Sequence, residues 1–326
     1  MHQYSPIRVG IVGTGVMGGH HTRVASTMPQ SHLIGIFDPD TARATQIASQ
    51  FGVSAFESLE ALCSAVDAVI IASPTFTHAK VAATCLQAGC HVLLEKPIAA
   101  TVAEGEQLVE LSHRLDHILM IGHLERYNPA VTTVLSLMNR HDLFAVEFQR
   151  LSPTPGRDRS ADIIFDLMIH DIDLALAFGG CAVKSVSAVG HRAKYDFIDH
   201  VTALLRFENG VTVTLTASAV SNERRRIGQI FTREAQFSLD LANREVWTHR
   251  FGQSTLATPE GQKYQASQVE QIYFPNREPL AIEQEHFYQS ISQKTAPQTT
   301  ADSGLQVLRL AQQIQDKVNE QLLTLA

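Results

Sequence analysis

The 326-residue chain is longer than one hydrophobic core usually fills, so two domains are expected, and 44% hydrophobic with 18% charged residues excludes a disordered or fibrous protein. Its 26 Lys and Arg stand against 33 Asp and Glu, a formal charge of −7, so there is no global positive field for nucleic acid or an anionic membrane. Small neutral or anionic ligands remain, held by local groups.

In chain order, short β-branched runs alternate with helical stretches over the first third. Ile7 to Val12, Leu33 to Phe37, Ala68 to Ala72, His91 to Leu94 and Ile118 to Gly122 read as strands. That alternation forces a parallel sheet with helices on both faces, an α/β doubly wound domain of the Rossmann type. Thr101 with Glu104 makes a capping box, and Asn128 before Pro129 reads as an N-cap and first helical position. From Phe144 the period changes to strict alternation: Phe144, Val146 and Phe148 form one face, and later so do Val211, Val213, Leu215 and Ala217, with Asn209-Gly210 as a hairpin turn. An α+β second domain with a mainly antiparallel open sheet is expected, closing with helices at about Pro279 to Ser292 and Ser303 to Leu322. The boundary should fall between Gly122 and Asn128, giving domains 1–124 and 125–326.

Gly13-Thr14-Gly15-Val16-Met17-Gly18 follows the first strand and opens a helix. The first glycine suits a tight turn, the second the close approach of a pyrophosphate, and the third helix-on-strand packing, while the helix N-terminus offers free N–H groups. Asp38 ends the second strand 20 residues beyond Gly18, where a carboxylate accepts from ribose hydroxyls and repels a 2′-phosphate, favouring NAD over NADP. The competing reading makes the glycines a plain strand-to-helix turn and Asp38 a helix cap.

Lys96 follows a buried strand, at the carboxyl end where ligands of open α/β sheets collect, and an ammonium there can hold an alkoxide or a ribose oxygen. Standing alone, Glu95-Lys96-Pro97 reads as a solvated loop. The candidate cofactor-binding set is Gly13, Gly15, Val16, Met17, Gly18, Asp38, Ser73, Thr75, His78, Glu95 and Lys96.

Phe165 to Phe178 is apolar on two flanks, yet Asp166, His170 and Asp173 recur at i, i+4 and i+7 along one line. Burying such groups costs several kcal/mol unless they are paired or face a wet cleft, so the stripe is either a proton-transfer site or an internal packing network. Asp171 falls on another face and reads as solvated; His20 and His21 in the first helix are expected to be partly exposed, and Arg224 to Arg226 to form a solvated edge. Arg157 and Arg159, in the loop before this helix, are placed to meet an anionic substrate.

Cys63, Cys85, Cys90 and Cys181 form no C-x-x-C pair, so neither zinc nor a redox dithiol is indicated and no metal site is expected. The N-terminus lacks a secretory signal's basic region and no apolar run spans a bilayer, which suits a cytoplasmic protein with reduced thiols.

With these residues in hand, the chain resembles the Gfo/Idh/MocA family over nearly its whole length, through Gly13, Gly15, Gly18 and Asp38, through Glu95-Lys96-Pro97, and through Asp166-x-x-x-His170-x-x-Asp173. The resemblance implies an NAD-dependent sugar dehydrogenase whose lysine and Asp/His pair line the substrate pocket, and a homo-oligomer, dimer or tetramer, formed through the C-terminal sheet. Within the family, the runs Gly122 to Pro129, Arg150 to Pro153 with Pro155 to Arg157, and Asp166 to Asp173 are similar to the branch that oxidises the 3-hydroxyl of UDP-N-acetylglucosamine. This implies Lys96, Asp166 and His170 as catalytic residues, with the proton roles of Lys96 and His170 interchangeable on sequence grounds. Arg126, Tyr127, Asn128, Arg157 and Asp173 are the substrate-binding candidates. Alternatives are an inositol or free-sugar dehydrogenase, an NAD-dependent glycosidase of the same family, and a non-catalytic nucleotide sensor, which the presence of every catalytic-type residue disfavours.

Overall fold

A computed structural model of the protein describes residues 5–153, 162–257, 263–274 and 278–325. The chain forms two compact units, one of Met1–Tyr127 with Glu278–Arg309, the other of Asn128–Arg277 with Leu310–Ala326.

The first unit runs β1 (Ile7–Val12), α1 (Val16–Thr27), β2 (Ser31–Phe37), α2 (Thr41–Phe51), β3 (Ser54–Ala55), α3 (Leu59–Ala65), β4 (Ala68–Ile71), α4 (His78–Gln87), β5 (His91–Glu95), α5 (Val102–Leu115) and β6 (Leu119–Gly122). Its six strands lie in the order β3-β2-β1-β4-β5-β6, all parallel. This is the doubly wound arrangement expected, with its order reversing beside β1, where such sheets open a crevice at the strands' carboxyl ends. The central strand β4 is apolar throughout because both its faces are covered: Ala68, Val69, Ile70 and Ile71 are all fully buried. β3 escaped the sequence reading because two exposed residues show no period. The Thr101 capping box forms, with Glu104 N donating to Thr101 Oγ1 at 3.2 Å and Thr101 N donating to Glu104 Oε2 at 3.0 Å.

The second unit runs α6 (Pro129–Leu137), β7 (Leu143–Leu151), α7 (Ile169–Gly179), β8 (Val183–His191), β9 (His200–Phe207), β10 (Thr212–Ser218), β11 (Arg225–Thr232), β12 (Ala235–Asp240), β13 (Glu245–Ala257) and β14 (Lys263–Tyr273). The eight strands take the order β14-β13-β12-β11-β7-β10-β9-β8 and are antiparallel except for the parallel pair β7 and β10. Helices α6 and α7 pack on this sheet. The Asn209-Gly210 turn joins β9 to β10 with Gly210 at φ 87°, a conformation that only glycine takes without strain. Phe144 departs from the expected inward face. The ladder between β7 and β11 slips there, pairing Phe231 with Ala145 and Thr232 with Leu143, so Phe144 is the extra residue of a bulge and is 52% exposed.

After β14 come α8 (Pro279–Gln293) and α9 (Ala301–Leu325). The single cut at residue 125 does not describe their placement. α8 sets Phe287 and Tyr288 into the cluster containing Ile7, Val9 and Ile11, Thr299 O accepts from Ile121 N at 2.9 Å, and only the residues from Leu310 onward join the second unit. Linear order cannot show which core an amphipathic helix completes.

Asn128 opens α6 as expected. Its Oδ1 accepts from Ala130 N at 3.1 Å and its Nδ2 donates to Leu241 O at 2.9 Å, and the residue is fully buried. These bonds give it a structural role. Asn128→Ala removes a cap and strands a buried carbonyl, so denaturant unfolding should show a loss of about 2 kcal/mol with substrate KM unchanged. A raised KM at intact stability would return Asn128 to the substrate.

Candidate active site

The glycine-rich turn leaves β1 and enters α1. Gly13 sits at φ +90°, and a Cβ there would stand 2.7 Å from Ala72 O; a Cβ on Gly18 would strike Gly13 O. These two glycines close the turn on itself. Gly15 differs, since nothing lies within 4 Å of the position its Cβ would occupy, and as N-cap of α1 it makes no side-chain cap bond. The open space in front of a helix N-terminus is a cradle for an anion, and it fits the pyrophosphate of a dinucleotide. Val16, 63% exposed, and Met17, half-buried, follow it.

Asp38 lies at the end of β2, as expected, but its carboxylate already braces the turn. Oδ2 accepts from Thr14 N and Thr14 Oγ1, each at 2.7 Å, and Oδ1 accepts from Asp40 N at 2.9 Å. Partial burial pushes its pKa up, but the Thr14 hydroxyl and the amides of Asp40 and Thr14 outweigh this and hold it below the ordinary carboxylate range. The capping alternative fails because Asp40, not Asp38, caps α2 by accepting from Arg43 N.

Ser73, Thr75 and His78 follow β4. Ser73 Oγ and Thr77 Oγ1 are 2.7 Å apart, and Thr75 is half-buried. His78 is only 1% exposed, with Nδ1 2.7 Å from Pro97 O and Nε2 2.9 Å from Ser73 O. It braces one strand-end loop against the next, and burial lowers its pKa.

Glu95-Lys96-Pro97 ends β5, with Lys96 half-buried and a cis bond before Pro97. The triplet is no solvated loop. Glu95 Oε1 meets Nε2 of His21 at 2.9 Å and Oε2 accepts from Lys96 N at 3.2 Å. Burial pushes the Glu95 carboxyl up, but His21 opposite it, by hydrogen bond and electrostatics, then the Lys96 charge and the Lys96 amide together bring it below its ordinary range. His21 is fully buried, against the expected partial exposure, whereas His20 is exposed. Tyr127 is 2% exposed and its hydroxyl lies 3.0 Å from Thr299 Oγ1; Arg126 is half-buried.

In the second unit the helix read as regular from Phe165 to Phe178 is interrupted. Ile164–Met168 form a π-helical turn and α7 begins at Ile169. Asp166 therefore sits in the wide turn and His170 just after it, both half-buried, while Asp173 is fully buried. Single π turns of this kind displace side chains from the α-helical line and occur frequently at functional sites. The predicted Arg157 lies outside the described residues.

Asp171 is the clearest correction. It is 2% exposed, and its carboxylate takes the guanidinium of Arg150, itself 2% exposed, with Nε to Oδ2 at 3.0 Å and an Nη to Oδ1 at 2.7 Å. Arg150 continues the inward series Val146, Phe148 on β7, so the alternation alone marks an arginine aimed into a core and in need of a carboxylate. The pair ties the residue after His170 to the middle of the sheet.

Residues 7–123 match the model of an oxidoreductase family with an NAD-binding Rossmann fold, and residues 142–250 match that of the Gfo/Idh/MocA C-terminal domain. The chain is 33% identical over 308 residues, 94% of its length and 96% of the relative's, to UDP-N-acetylglucosamine 3-dehydrogenase of Acidithiobacillus ferrooxidans. It is 30% identical over 250 residues, 72% of this chain and 73% of the relative, to inositol 2-dehydrogenase of Corynebacterium glutamicum (strain R). A solved structure of the Acidithiobacillus enzyme matches with a TM-score of 0.88 at 32% identity, covering 97% of this chain and 98% of that one. Levoglucosan dehydrogenase, solved with NADH and levoglucosan, shares the fold, with a TM-score of 0.85 at 18% identity over 97% and 98% of the two chains.

Two expectations follow. Gly15→Ala should fold with an unchanged Tm but weaken NAD binding about tenfold or more, the scale of ~1.4 kcal/mol of lost contact, whereas Gly18→Ala should lose stability as well; equal affinity in Gly15→Ala, by titration calorimetry, would empty the cradle of meaning. Arg150→Met removes the guanidinium that meets the buried Asp171 carboxylate, so it should cost about 3–5 kcal/mol in denaturant unfolding, and Arg150→Met/Asp171→Leu should recover much of that loss.

Proposed function

This chain belongs to the Gfo/Idh/MocA family of NAD-binding oxidoreductases, and we propose that within it the protein oxidises the 3-hydroxyl of UDP-N-acetylglucosamine to a ketone. The observation that carries the substrate is the 33% identity to a UDP-N-acetylglucosamine 3-dehydrogenase, which runs over 94% of the chain and so through both units. The likeness to an inositol 2-dehydrogenase, over 72% of the chain, makes a polyol the competing substrate.

A secondary alcohol and NAD⁺ become a ketone, NADH and a proton, and NAD, when bound, supplies the hydride acceptor. The protein supplies the rest. Gly13, Gly15 and Gly18 shape the anion cradle, and Asp38 stiffens it through Thr14. In this reading His170 takes the hydroxyl proton as general base, Asp166 orients it and supports its positive charge, and Lys96 holds the oxygen as negative charge develops. Arg126 and Arg157 are assigned to the anionic part of the substrate, since an acidic protein meets a diphosphate only through local cations.

Among the described residues no helix is long and apolar enough to cross a membrane. We read the protein as a cytoplasmic homo-oligomer joined through the sheet of the second unit, where Phe144, Val189 and Leu204 are exposed.

The test is purified protein with NAD and a panel of UDP-sugars, inositols and free hexoses, with a carbonyl trap, read by NADH absorbance. UDP-N-acetylglucosamine should give NADH and a 3-ketone, and Lys96→Ala should lower kcat by about 10²-fold with NAD affinity retained. Oxidation of an uncharged polyol alone would reassign the substrate, and glycoside cleavage without net NADH would reassign the reaction.

A further inference from the structure

The first unit contains a buried polar chain that the reaction as written does not use. His21 in α1 is fully buried, and Gln284 and Tyr288, one turn apart on α8, are buried at 0% and 1% exposure. Tyr288 OH donates to Gln284 Oε1 at 3.0 Å. Gln284 Nε2 donates to the His21 carbonyl at 3.1 Å and stands 3.0 Å from His21 Nδ1, and His21 Nε2 stands 2.9 Å from Glu95 Oε1.

The direction of every bond follows from what each atom can do. A backbone carbonyl only accepts, so the Gln284 atom facing it is the amide nitrogen; turning the amide over would set two oxygens against each other. The same nitrogen meets Nδ1, so its two hydrogens serve the carbonyl and the ring, and Nδ1 is an acceptor. The ring proton is therefore on Nε2, facing a carboxylate oxygen that accepts. The other Glu95 oxygen takes the Lys96 amide, so both oxygens have donors and the side chain has one orientation.

A doubly protonated imidazole would neutralise Glu95. The neutral Nε2–H tautomer orients Glu95 and leaves its full charge at the strand end that carries Lys96. Tyr288 is buried from solvent, and burial, opposed by the Ser31 hydroxyl, holds its phenol well above the ordinary tyrosine pKa.

We propose that Gln284 and His21 are positioning residues for the dehydrogenase reaction: the Gln284 amide keeps a proton off Nδ1, and the resulting Nε2–H tautomer of His21 holds the Glu95 carboxylate, fully charged, beside Lys96. This rests on the role given to Lys96 in the proposed reaction. It also explains why a helix 263 residues further along the chain than His21 returns to the first unit with a glutamine on its buried face.

The experiment is long-range ¹H–¹⁵N correlation NMR on the full-length protein with ¹⁵N-labelled histidine, with no cofactor added, beside steady-state kinetics of the same samples. Wild-type His21 should show an unprotonated Nδ1 and a protonated Nε2. Gln284→Glu, close in shape but offering the ring an acceptor, should add a proton at Nδ1. The same variant should lower kcat by up to about 10²-fold, the scale of a misplaced catalytic group, with the sugar KM changed less than about twofold, because Lys96 acts on charge that develops only in the transition state. Gln284→Met, which removes the donor without adding charge, should lower kcat in the same direction. A wild-type ring protonated on Nδ1, a spectrum unmoved by Gln284→Glu, or normal kcat per folded molecule in both variants would each overturn the proposal. Absence of turnover with every sugar would count against the reaction instead, and the tautomer measurement would still decide the chain.

Discussion

A carboxylate enters a protein interior only if donors are waiting for it, because an unpaired buried charge costs several kcal/mol. Two such carboxylates organise this protein. Glu95 meets His21 and the Lys96 amide at the end of β5, and Asp171 meets Arg150 beneath α7. Each stands next in sequence to a candidate catalytic residue, Lys96 in one case and His170 in the other. The side chains that would do chemistry are half-buried, while their immediate neighbours are locked, so orientation is supplied by residues that need never touch a ligand.

The two locks differ in kind. Arg150 and Asp171 form a bidentate ion pair whose planar geometry fixes the helix on the sheet with directional bonds, so breaking one side alone leaves a charge behind. His21 and Glu95 instead share one hydrogen bond whose direction is dictated from outside, by Gln284. The ion pair links β7 to α7, whereas the His21 chain draws on α8, far along the sequence. This is the physical reason that α8 belongs to the first unit: it contributes Phe287 and Tyr288 to the apolar cluster and Gln284 to the polar chain from one face.

Local rules carried much of the structure. The glycine turn, the Asp38 position, the Thr101 box, the Asn128 cap and the Asn209-Gly210 hairpin each depend on a few consecutive residues and form as read. The misreadings have equally physical causes. Phe144 was turned out by a bulge, which needs knowledge of the partner strand. Asp166, His170 and Asp173 were aligned on an ideal α-helix, and the π turn at Ile164–Met168 changed that line. Asp171 was read as solvated because helical position shows which face a residue occupies and says nothing of what lies against it.

By itself, then, the sequence determined the two fold classes, the glycine-rich turn, the acid that ends β2 and the strand-end lysine, all of which follow from short-range periodicity and turn chemistry. Only the tertiary structure decided which buried polar groups meet. Arg150 finds Asp171 across 21 residues and Gln284 finds His21 across 263, and no local propensity encodes either pairing. It also decided burial among the candidates: Tyr127, Asn128, His78 and Asp173 are interior, while Lys96, Asp166 and His170 keep partial access. The cause is the same throughout: periodicity assigns a face, but whether a polar group on that face is solvated, paired or reactive depends on the donor or acceptor that the folded chain brings opposite it.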